Sequence, residues 1–173
     1  TGRESIGHTI GFELFDRYDV AELARRAAGR ALTKLDARPA PSGTVPVVIV
    51  VDNGWAAAAR WDDRVGAMQT LAAEAERDGR PLIVAPTALS DAAVVLKRLS
   101  GSEAQGAVKA VAPQPFGVDR AKALAALKKL NLTDSPDIVW LTDGLEDGDA
   151  ADFARGLAAI GSLRVLTDDA LNA

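Results

Sequence analysis

With 173 residues, 48% hydrophobic and 25% charged, the chain fits one soluble domain with a two- or three-layer core. A net charge of −4 with scattered basic residues excludes the basic face that nucleic-acid binding requires, and the lack of cysteine excludes disulfides, a thiol nucleophile and thiolate metal sites. No run approaches the about 18 apolar residues of a membrane span, and no charged-then-apolar leader is visible, so a soluble chain compatible with the cytoplasm is expected.

In chain order, alternation predicts a short strand over 9–15, after an opening that contains Gly2, Gly7 and Gly11. Asp19 and Glu22 form a capping-box spacing, and Val20, Leu23, Ala24, Ala27, Ala28, Ala31, Leu32 and Leu35 then predict a helix over 20–36. Pro39, Pro41 and Gly43 end it. The stretch VPVVIVVDNGWA, 45–56, organises the rest: a Val/Ile run bounded by Pro46 and Gly54 reads as a central parallel strand buried on both faces.

A helix follows over 62–78 with Val65, Met68, Leu71, Ala72 and Ala75 on one side, stopped by Gly79. PLIVAP, 81–86, is the next buried strand. Ser90 and Asp91 are expected to open a helix carrying Val94, Val95, Leu96 and Leu99 that Gly101 ends, and Ser102 with Gln105 to open another over 103–111. Asp119 caps a helix to Leu130, DIVWLT at 137–142 is a third buried strand, and a helix over 149–160 leads to a last strand over 162–166. This alternation gives an α/β fold of three layers, a mostly parallel sheet of about five strands with helices on both faces. The expected organisation is a single domain over 1–173, composed of a strand–helix segment, 1–46, and a core, 47–173.

Ligands of open α/β sheets collect beyond the carboxyl ends of central strands, which points to Asp52 and to Asp143. If their strands are neighbours where the strand order reverses, the two carboxylates share one crevice, and Thr87 arrives from the end of the strand over 81–86. Such oxygens suit a hard cation such as Mg²⁺. The plainer alternative is turn chemistry, in which each carboxylate accepts hydrogen bonds from its own turn. Glu146, Asp147 and Asp149 could add ligands or simply solvate a loop before a helix N-terminus. His8, the one histidine, reads as structural or solvent-facing. Trp55, Trp61 and Trp140 read as a ligand platform or, more plainly, as core for Trp140 and cover at the end of the sheet for the other two. No glycine-rich phosphate loop follows any strand.

Asp52, Thr87 and Leu141-Thr142-Asp143-Gly144 resemble the von Willebrand factor A domain family. In that family a strand ends in Asp-x-Ser-x-Ser, and a later Thr and a Thr-Asp-Gly complete a metal-ion-dependent adhesion site. Here Gly54 and Ala56 stand where the two serines would be, so two oxygen ligands are missing. More narrowly, 51–58, 85–88 and the Asp143-Gly144 turn look like the A-type domain of bacterial membrane-anchored BatA-like proteins over about 47–173. That resemblance implies a von Willebrand A-like or flavodoxin-like strand order and a binding or scaffolding role. Over 1–48, above all Leu35-Asp36-Ala37-Arg38-Pro39-Ala40-Pro41-Ser42-Gly43, the chain is similar to the TldD/PmbA metalloprotease family. The zinc-binding His-Glu-x-x-x-His helix of that family has no counterpart, and one histidine excludes two-histidine zinc ligation.

Two resemblances meeting inside one strand suggest recombination through a shared VPVVIV, an engineered or laboratory-selected chimera, with a natural remote homologue as the alternative. The resulting expectation is a binding or scaffold domain without catalysis and without a resident cofactor, its partner a protein. A weak Mg²⁺-dependent ligand-binding domain using Asp52, Thr87 and Asp143 comes second, and a metal-assisted hydrolase third.

Overall fold

The computed structural model describes residues 45–90, 95–144 and 148–167. The elements are β1 (Val47–Val51), a 3-10 helix (Trp55–Arg60), α1 (Trp61–Arg77), β2 (Leu82–Pro86), α2 (Gly101–Ala110), α3 (Arg120–Lys129), β3 (Asp137–Leu141), α4 (Ala150–Ala158) and β4 (Ser162–Leu166). The expected strand over 9–15, the helix over 20–36, His8, Glu146 and Asp147 lie outside the described residues.

The four strands form one parallel sheet in the order β2-β1-β3-β4. β1, β2 and all but the first residue of β3 are apolar runs covered on both faces, whereas β4 at the edge keeps Arg164 exposed. Val48, Val50, Ile83, Ala85, Ile138 and Trp140 face one way, against Ala123 and Leu127 of α3 and Phe153 and Leu157 of α4. Val47, Ile49, Val51, Leu82, Val139 and Leu141 face the other way, against Met68, Leu71, Ala72 and Ala75 of α1 and Ala104 and Val108 of α2. The period of two along each strand thus sorts side chains into two cores, and the fold is the three-layer α/β arrangement expected.

The helix expected to open at Ser90 and Asp91 does not extend over 95–100, and 91–94, with Val94, lie outside the described residues. Residues 95–98 are not helical, and Leu99 instead makes an isolated antiparallel bridge with Leu82, each N–H donating to the other's carbonyl at 2.7 Å. The apolar spacing misleads because these side chains do not share a face. Leu96 packs on one core and Leu99 on the other, while Val95 is exposed. Strand β2 ends the row of paired strands, and the bridge satisfies edge groups that would otherwise stay open. Gly101 accordingly opens α2, at a positive φ of 53°, where the sequence suggested a stop. Asp119 caps α3 as expected, its carboxylate accepting from the Lys122 N–H at 2.8 Å.

Candidate functional site

The sheet changes direction between β1 and β3, since β2 lies on one side of β1 while β3 and β4 lie on the other. That is the switch point at which open α/β sheets leave a crevice. Parallel register matches Val51 with Leu141, and the Asp52 N–H donates to the Leu141 carbonyl at 2.9 Å. The register also matches Val51 with Pro86, and the Thr87 N–H donates to the Val51 carbonyl at 3.0 Å. The three sequence-predicted residues therefore converge because all three strands stop in step. Asp52 and Thr87 are fully buried, and the Asp143 side chain is 4% exposed.

What they converge on is a guanidinium. Arg120, the first residue of α3, is also fully buried, and its Nη2 donates to Asp52 Oδ2 at 2.9 Å. The same nitrogen lies 3.6 Å from Asp143 Oδ1, and Nη1 donates to Asp149 Oδ1 at 3.3 Å. The second Asp52 oxygen, Oδ1, accepts from the Thr87 hydroxyl at 2.7 Å. Beneath, the Arg120 Cζ stands 5.3 Å from the centre of the Trp140 ring, which meets Phe153 edge-on at 5.1 Å. Arg120 is what the sequence reading missed. A cation at the first position of a helix opposes the positive end of the helix dipole, and that local misfit, next to the cap Asp119, was the available signal.

The turn-chemistry alternative fails for Asp52, whose carboxylate takes its hydrogen bonds from Thr87 and Arg120, on other elements. The loop-tying role falls to its neighbour. The Asn53 Nδ2 donates to the Ala112 carbonyl at 3.0 Å, its Oδ1 accepts from the Ala88 N–H at 2.8 Å, and its carbonyl accepts from the Gln114 N–H at 2.7 Å. These bonds hold the segment after α2 across the ends of β1 and β2. A second buried arginine, Arg64 of α1, donates to the Ala57 carbonyl at 3.0 Å and the Thr142 carbonyl at 3.2 Å, fixing the backbone on the opposite face.

The residues present do not fit the metal-ion-dependent adhesion site implied by the von Willebrand A-type resemblance. A Cβ at Gly54 would come within 3.1 Å of the Phe116 carbonyl and 3.2 Å of Val118 Cγ1, so a serine there would press on the loop that Asn53 holds down. Ala56 offers no oxygen. Among the described residues no three acidic, imidazole or thiol side chains form a metal cage. The Arg120 nitrogen already stands within hydrogen-bond distance of Asp52.

No family model matches the chain. A metalloprotease of Methanothermobacter thermautotrophicus is 45% identical over 47 residues, which are 27% of this chain and 10% of that protein. The chain thus spans about a tenth of the length of the curated relative it matches. The relative's name agrees with the peptidase side of the two resemblances. It also corrects the expectation of a chain that is not an enzyme, because the protein it joins this sequence to is named as one.

The tryptophans divide differently from the plain reading. Trp140 is core, but Trp55 is 63% exposed on the 3-10 helix after β1 and does not cover the sheet. Its backbone is fixed, the Trp55 N–H donating to the Phe116 carbonyl at 3.1 Å, and Phe116 is itself 39% exposed. A cavity of about 250 Å³ on the same 3-10 helix and the start of α1 is lined by Ala58, Ala59, Arg60, Trp61, Asp62 and Asp63. No helix among the described residues is long and apolar enough to cross a membrane.

Proposed function

We propose that this chain is a polypeptide-binding domain of a protein related to metalloproteases, and that it grips an extended peptide through Trp55 and Phe116. The observation that carries this reading is the exposure of Trp55 on a backbone held rigidly at the carboxyl end of the sheet. Tryptophan is the side chain most enriched at binding hot spots, and anchoring its backbone beforehand lowers the ordering cost of binding. The cavity at the 3-10 helix adds space for one side chain of the peptide, with Arg60, Asp62 and Asp63 as polar anchors on its wall. A peptidase-related protein would use such a face to hold its polypeptide.

The test is the binding of fluorescently labelled, unfolded casein to the full chain, followed by anisotropy. Trp55→Ala is expected to weaken binding about tenfold or more, and Phe116→Ala less. Casein that fails to bind, or that binds equally to both variants, overturns the reading.

The relative's name favours a second reading, in which the chain takes part in metal-dependent peptide hydrolysis. One histidine supplies at most one imidazole, so carboxylates or another chain would complete a zinc site under this reading. Zinc-dependent, chelator-sensitive cleavage of casein by the purified chain would support it. Intact casein after prolonged incubation with zinc would count against it.

A further inference from the structure

We infer, resting on that peptide-binding reading, that the polypeptide this face prefers is cationic: with an apolar residue held on Trp55, the side chain two positions along the extended peptide is a lysine or arginine that enters the cavity and pairs with Asp62. Trp55 opens the 3-10 helix, and Ala58, which lines the cavity, stands one turn further on. Residues three apart in a 3-10 helix share a face and lie about 6 Å apart along its axis. In an extended peptide, side chains two positions apart also share a face, at about 6–7 Å. The two spacings agree, so a peptide lying along the 3-10 helix presents alternate side chains to Trp55 and to the cavity.

The charges on the cavity wall decide the sign of the guest. Arg60 Nε donates to Asp63 Oδ2 at 3.1 Å, so those two groups offset each other within the wall. Asp62 is exposed, and no hydrogen bond or ion pair among the described residues takes up its carboxylate. One arginine and two aspartates thus leave the wall a formal negative charge. Asp62 stands in the first turn of α1, where an acid suits the helix dipole, but that interaction leaves its oxygens open to a donor. The two buried arginines nearby are committed elsewhere, Arg64 to the Ala57 and Thr142 carbonyls and Arg120 to Asp52 and Asp149.

Each part of a lysine or arginine side chain finds a counterpart in this wall. Ala58, Ala59 and Trp61 offer apolar surface to the alkyl stem, and Asp62 accepts hydrogen bonds from the charged head. A glutamate would meet the Asp62 charge while Arg60 is already engaged by Asp63. An aliphatic side chain would shield the Asp62 carboxylate from water without pairing it. The net charge of −4 on the whole chain attracts a cationic partner in the same sense.

The experiment is fluorescence anisotropy of labelled Gly/Ser peptides that carry one leucine and, two positions to either side of it, lysine, norleucine or glutamate. They are titrated with the full chain as wild type, Asp62→Asn and Asp62→Glu. Wild type is expected to bind the lysine peptide about three- to fivefold tighter than the norleucine peptide, the range of an exposed charge pair, and the glutamate peptide weakest. Asp62→Asn should bring the lysine and norleucine peptides within about twofold of each other, Asp62→Glu should keep the preference, and added salt should reduce it. Lysines moved next to the leucine should lose most of the preference. Equal affinity of wild type for the lysine and norleucine peptides overturns the inference, as does a preference that survives undiminished in Asp62→Asn or after the shift of position. Wild type that binds casein through Trp55 but none of the peptides also overturns it, and leaves the proposed function standing. Wild type that binds neither overturns the proposed function, and the inference with it.

Discussion

The two ends of the sheet each carry an arginine–aspartate pair, and the pairs do different work. At the amino end, Arg80 Nη2 donates to Asp137 Oδ2 at 2.6 Å while its Nε donates to the Val45 carbonyl at 2.8 Å, and the Asp137 side chain is 30% exposed. At the carboxyl end, Arg120 and Asp52 have no exposure at all. Water shares the charge of the first pair. The second is closed to solvent, so each partner makes the other tolerable more than it adds net stability. The amino end is fixed mostly by backbone: the Ser162 N–H donates to the Pro136 carbonyl at 2.9 Å, and a Cβ on Gly161 would overlap that carbonyl. The lesson is that the end of the sheet which rests on charge is the end where open α/β sheets put their ligands.

Four substitutions sharpen or break this contrast, each measured by urea unfolding. The largest loss is expected for Arg120→Met, about 3–5 kcal/mol, because it leaves the fully buried Asp52 without its cation partner. Combined with Asp52→Asn, the same substitution should cost much less than the sum of the two single changes, and additive costs would show that the pair is not coupled.

Gly161→Ala should follow, at about 1–3 kcal/mol, from overlap with backbone that cannot swing aside. A loss no greater than that of an exposed helix position would mean that the amino end relaxes more easily than its geometry implies.

Arg80→Met is expected to cost about 1–2 kcal/mol, and the contribution should shrink as salt is added, since Asp137 is reached by solvent. A loss matching that of Arg120→Met would erase the distinction between the two ends. Arg60→Ala, which removes a surface pair with Asp63 at 3.1 Å, should change stability by less than about 0.5 kcal/mol.

Much of this architecture can be read from local pattern. VVIVV at 47–51 and DIVWL at 137–141 are apolar at every or nearly every position, and only a strand covered on both faces needs that. The cap at Asp119 and the Met68, Leu71, Ala72, Ala75 spacing likewise fix their helices within a turn. The helix expected to carry Leu96 and Leu99 failed for the complementary reason. Its spacing is a local signal, and the edge of β2, which captures Leu99 through two backbone bonds, is not local.

The sequence by itself determined that Asp52, Thr87 and Asp143 would stand at strand ends, because strand length and hydrophobic period are written in adjacent residues. Only the tertiary structure decided what stands among them. Arg120 lies 68 positions from Asp52 along the chain. Nothing near it in the sequence pairs it with that carboxylate. The pairing follows from parallel register and from α3 docking over Trp140, and it holds because a buried carboxylate without a cation is among the costliest things a core can contain.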